Sequence, residues 1–82
     1  MMNELDRIAA SDLPEMDRLA QAFRWVTDRI LEQEEREVEL LRAMGDREAL
    51  TKEQIKLGMM RHAQEIFQQC FRRIAGRKAW DD

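Results

Sequence analysis

Between Pro14 and Gly45 nothing interrupts a helical pattern, and this stretch restricts the fold more than any other feature of the chain. Pro14 is the sole proline and stands where a helix should begin. Asp12 and Glu15 form a D-x-x-E capping box, with Leu13 and Pro14 in the first turn. Gly45 suits the left-handed position just past a helix end. A first long helix is therefore predicted over about residues 13–44, roughly 48 Å at 1.5 Å per residue. Thr51 and Gln54 form a second capping box, and Gly76 a second stop. They predict a helix over about residues 52–75, with Arg72 and Arg73 in its last turn favouring the macrodipole. The short joint Gly45–Leu50 makes the two helices antiparallel neighbours. Asn3 can cap a brief N-terminal helix carrying Leu5, Ile8 and Ala9. The expected fold is all-α: one helical-hairpin domain over 1–82, with an N-terminal segment (1–12) and a C-terminal tail (76–82).

The apolar positions show what the hairpin buries. On the first helix Met16, Ala20, Phe23, Thr27, Ile30, Leu41 and Met44 follow a 3–4 spacing. The slots between Ile30 and Leu41 are filled by Glu34 and Glu37, inside the polar run EQEERE, and neither has a basic residue three or four positions away. On the second helix Ile55, Met59, Met60, Ala63, Ile66, Phe67, Cys70, Phe71 and Ile74 form a stripe too broad for one neighbour. One hairpin cannot cover that stripe, and two can. A homodimeric four-helix bundle is the expected assembly. If the joint centres near residue 48 or 49, facing residue numbers sum to about 98. Glu34 and Glu37 then meet Arg61, His62 and Glu65 in a polar layer within the seam.

Charge separates along the chain. Residues 1–50 carry 13 acids and 7 bases, whereas residues 51–80 carry 7 bases and only Glu53 and Glu65. Opposite signs on successive helices suit packing of one against the other. A nucleic-acid surface is the alternative, built from Arg72, Arg73, Arg77 and Lys78 with Trp80 as a stacking residue. No helix-turn-helix or other nucleic-acid motif accompanies them, and Trp80 is more simply expected to fold back on the first helix. Glu34, Glu37, His62 and Glu65 are weak candidates for a metal site. The order His-x-x-Glu reverses the Glu-x-x-His element of di-metal bundles, so no metal and no cofactor is expected.

Catalysis has little to build on. There is no Gly-rich phosphate loop and no Ser/His/Asp spacing, and the hydroxyl residues are Ser11, Thr27 and Thr51. The single cysteine, Cys70, fits a packed position in a reducing compartment. The start MMNELDRIAA lacks the pattern of a signal peptide, and no stretch approaches a membrane span, so a soluble cytoplasmic protein is expected. Trp25, on a face shared with Arg18, Ala22 and Arg29, suits an anchor for a protein partner.

The segment HAQEIFQQCFRRIAG, residues 62–76, resembles part of the second helix of the Rop family, dimeric helical hairpins that regulate plasmid copy number. The resemblance spans 15 of 82 residues and implies the bundle architecture. That family's RNA-contacting first helix is basic and amide-rich. Here the first helix is acidic through its middle, so RNA binding does not follow. The expected function is that of a small non-catalytic interaction or regulatory protein (an adaptor, inhibitor or assembly factor) acting on a larger protein.

Overall fold

The structure, a computed structural model, describes residues 3–81, so the two outermost N-terminal positions and residue 82 of the expected domain lie outside it. Its elements are α1 (Glu4–Ala9), α2 (Glu15–Met44) and α3 (Arg47–Ala75). The chain is all-helical, and α2 packs along α3 as an antiparallel hairpin while α1 lies against α2.

Three of the predicted helix ends form as expected. The Asn3 carboxamide oxygen accepts the Asp6 amide at 2.8 Å, capping α1. Gly45 and Gly76 adopt positive φ of 74° and 72°, the left-handed conformation glycine takes without steric cost. At the first of these, Gly45 N–H donates to Arg42 and Asp46 N–H donates to Leu41, using up carbonyls that α2 leaves unpaired.

Two helix starts differ from expectation. The Asp12–Glu15 box does not close. Pro14 occupies the N-cap of α2 without a side-chain cap, and its fixed φ of -52° sets the entry instead. Leu13 is left outside the helix. At α3 the predicted Thr51 cap is pre-empted by Asp46, whose carboxylate accepts the Ala49 amide at 3.1 Å. Thr51 becomes an interior residue, bonding its hydroxyl back to the Arg47 carbonyl at 2.9 Å. The joint shrinks from six residues to two, Gly45 and Asp46.

That shortening resets the register. Phe23 meets Phe67 at a ring-centroid distance of 4.4 Å, and Thr27 accepts from Gln64 at 2.6 Å. Facing numbers therefore sum to about 90 rather than about 98, a shift of about two helical turns along one strand of the hairpin.

The hairpin is thin. Its principal extents are 47 × 35 × 16 Å, and its radius of gyration is 15.6 Å, against about 11.7 Å for a compact domain of this length. Among the described residues no large side chain is fully buried. The best covered are Ala20, Thr27, Val38, Phe71 and Trp80.

Candidate interaction surface

Each side of the hairpin can be followed from its residues, beginning with the seam. Thr27 is buried and bonds its hydroxyl to the Phe23 and Arg24 carbonyls. Gln64 donates to Thr27 and, at 2.8 Å, to Asp28, whose carboxylate also pairs with Arg24 at 3.5 Å. This polar group lies in the seam, whereas the predicted layer does not assemble. Glu34 is half-buried, and Glu37 is exposed. Both line a shallow cleft with Glu53 and Lys56, one turn or more away from His62. Lys56 bonds to Glu53 at 3.0 Å. Its pKa is raised above the ordinary 10.5, first by that hydrogen bond, then by the charge of Glu53, and more weakly by Glu34 and Glu37. Arg61 pairs instead with Glu35 at 3.0 Å, and His62 sits 3.6 Å from Glu65 on an exposed face. The shorter joint is the cause, since it slides His62 past the acids it was expected to meet. The same shift separates Glu34 and Glu37 from His62 and Glu65 as metal candidates. Among the described residues no group of three or more His, Cys, Asp or Glu is placed to hold a metal ion.

The buried Oε2 of Glu34 has no hydrogen-bond partner. Covering such an atom costs about 1–3 kcal/mol. Glu34→Leu is accordingly expected to stabilise the hairpin by about 1 kcal/mol, because Lys56 keeps Glu53. Equilibrium urea denaturation at fixed protein concentration measures it, and a lower midpoint would count against the assignment.

One flat side of the hairpin is closed by the tail. Gln68 fixes it with two bonds, accepting from the Ala79 amide at 2.6 Å and donating to the Trp80 carbonyl at 3.2 Å. Trp80 folds back onto α2. Its indole N–H donates to the Ala20 carbonyl at 3.0 Å, and its ring stacks 5.5 Å from Phe67 and 6.4 Å from Phe23. The Arg24 guanidinium lies 5.3 Å from the same ring. Arg77 anchors the tail's start, bonding Asp17 at 2.7 Å while lying over Phe71. Of the five predicted nucleic-acid residues, Arg77 and Trp80 are thus engaged within the fold, whereas Arg72, Arg73 and Lys78 are exposed.

The Asp17–Arg77 pair makes tail docking sensitive to acid. The hydrogen bond from Arg77, opposed by partial burial but reinforced by the guanidinium's charge, holds the Asp17 carboxyl below its ordinary 3.8. A depressed carboxyl contributes stability above its unfolded pKa and loses it as pH falls through the folded value. In a Trp25→Phe chain, which leaves Trp80 as the single reporter, tail fluorescence should hold steady down to about pH 4 and shift towards the solvated indole below it. Asp17→Asn should remove that acid step. An unchanged profile in the asparagine variant would exclude the pair as its source.

On the outer edge of α2, Trp25 is half-buried with the Arg29 guanidinium 5.1 Å from its ring. Trp25, Arg29, Gln21 and Asp28 share a shallow cleft with Glu4 and Ile8 of α1. Ala22 is half-buried nearby. Arg18 is drawn away from this group, donating to the Ala9 carbonyl at 3.1 Å and so tying the end of α1 to α2.

The remaining flat side is apolar and open. On α2 the exposed Leu19, Val26 and Leu40 are separated by multiples of seven residues. They lie about 120° of rotation from the buried Ala20, Thr27 and Val38 at 100° per residue. On α3 the exposed Ile55, Met59, Ile66, Cys70 and Ile74 lie about 120° from Leu57, Met60, Gln64 and Phe71 in the same sense of numbering. Because the helices run antiparallel, equal offsets are mirror images, and both stripes come to the same flat side, opposite the tail. Leu19 is 62% exposed, Met59 67% and Ile74 75%. Sequence reasoning found these α3 residues but assigned α2 a single face. The signal for a second one was the heptad Leu19–Val26–Gln33–Leu40.

No described helix is long and apolar enough to cross a membrane. Comparison of the chain with protein-family models, with curated proteins and with solved structures yields no match.

Proposed function

We propose that the chain is a non-catalytic helical interaction protein that works as a homodimeric four-helix bundle and regulates a larger protein through its helix surfaces. The observation that carries this is the open apolar side of the hairpin. A slab 16 Å thick is little more than one helix deep. Its accessible surface of 6347 Å² exceeds the roughly 5,200 Å² expected of a compact monomer of this mass. Stacking a second hairpin on the open side converts that excess into a core. The purified chain is expected to sediment as a dimer at micromolar concentration, and a well-folded monomer there would overturn the proposal.

With the open side occupied, the surface left for a larger partner is the outer edge of α2. Trp25 under Arg29, with Ala22 beside it, offers a rigid aromatic anchor of the kind that carries binding energy at interfaces. Tagged wild-type chain and Trp25→Ala chain, recovered from the cell of origin, should differ in one bound protein that the variant loses. Nucleic acid in both eluates would point instead to Arg72, Arg73 and Lys78.

A further inference from the structure

Resting on the dimer proposed above, we infer that the two hairpins stack about a two-fold axis parallel to their helices, so that α2 of one copy lies on α3 of the other. Two properties of the open side select this arrangement over the alternative, in which the axis runs across the helices and α2 lies on α2.

The first is the order of residues along the hairpin. With facing numbers summing to about 90, the open side is banded. Met16 stands level with Ile74, Leu19 with Cys70, Val26 with Ala63, and Ile30 with Met59. Towards the joint comes a polar band, Gln33 and Glu37 on α2 beside Lys56 on α3. An axis parallel to the helices preserves height. Apolar bands then meet apolar bands, and Glu37 and Gln33 of each copy meet Lys56 of the other. An axis across the helices inverts height. A fully overlapped pair would then press Glu37 against the Phe23 level of its partner, desolvating a carboxylate among apolar groups.

Charge is the second. Helix α2 carries eight acids and five bases, a net of -3, whereas α3 carries three acids and six bases, a net of +3. Laying α2 on α3 opposes these charges, while laying like on like repels at both contacts. Area bears on the dimer itself in either arrangement: the surface excess of about 1,100 Å² per copy over a compact monomer is more than the roughly 800 Å² that each partner buries in a standard interface.

The test uses two single-cysteine chains, each also carrying Cys70→Ser. One has Val26→Cys and the other Ala63→Cys. After the two are mixed, exchanged and treated with a short bifunctional maleimide, the pair should shift to twice the chain mass on a denaturing gel. A second mixture pairs Leu19→Cys with Leu40→Cys, exposed residues of α2 brought to one height only when the axis runs across the helices and α2 lies on α2, and it should not shift. Cross-linking of the second pair instead of the first overturns the arrangement while leaving the dimer intact. So does a dimer in which neither pair links. A monomer in sedimentation overturns the dimer itself, and the arrangement with it.

Discussion

Trp80→Ala should lower the stability of the folded chain by about 3 kcal/mol, the low end for truncating a buried aromatic. The indole is about nine-tenths buried and closes one flat side of a hairpin that has few other covered groups. Its loss removes the stacks on Phe67 and Phe23, the bond to the Ala20 carbonyl and the Arg24 contact together. Aromatic pairs add about 0.5–1.5 kcal/mol beyond their burial. Because α2 and α3 still meet through Phe23 and Phe67, the variant should keep its helical circular-dichroism spectrum at low temperature. The change should appear as a lower urea midpoint at matched concentration, since any assembly makes stability concentration-dependent. Trp80→Phe should recover much of the loss. An unchanged midpoint in the alanine variant would mean the tail is not docked in solution.

Val26→Asp combined with Ile66→Asp should weaken self-association by more than about 100-fold, roughly 2.7 kcal/mol. The isolated hairpin leaves these side chains 38% and 47% exposed, so neither is part of its own core. In a two-fold dimer each replacement counts twice, and four short carboxylates enter the interface. Aspartate lacks the stem by which lysine or arginine carries its charge out to water, and an unpaired buried charge is costly. Sedimentation at micromolar concentration should show the mass halved while helix content is largely kept. If the double variant sediments like the wild type, the open side is not where the copies meet.

The sequence by itself determined the elements, because their signals act over a few residues. Asn3, Gly45 and Gly76 end or begin helices through bonds to groups three or four positions away, and each does so as its residue type predicts. The absence of a breaker between Pro14 and Gly45 was enough to give one long helix. Even the return of Trp80 to the first helix was foreseeable, since a bulky aromatic just past a helix stop has an apolar seam within reach. The candidate surface was half legible: the width of the α3 stripe called for a second neighbour, and Trp25 stood out beside its arginine.

What only the tertiary structure decided is register. Asp46 and Thr51 are both competent caps, and local chemistry does not rank a joint of two residues against one of six. The choice falls to contacts made far along the hairpin, where Phe23, Phe67 and Trp80 stack and Thr27 bonds Gln64. The pairs that α2 contributes to, Thr27–Gln64, Phe23–Phe67 and Phe23–Trp80, are 37 to 57 positions apart, beyond the reach of any capping motif. Moving the start of α3 from Thr51 to Asp46 carried His62 away from Glu34 and Glu37 and put Lys56 there instead. Helix ends are fixed by nearby hydrogen bonds, but the partners of a charged side chain depend on how two helices settle along their whole length.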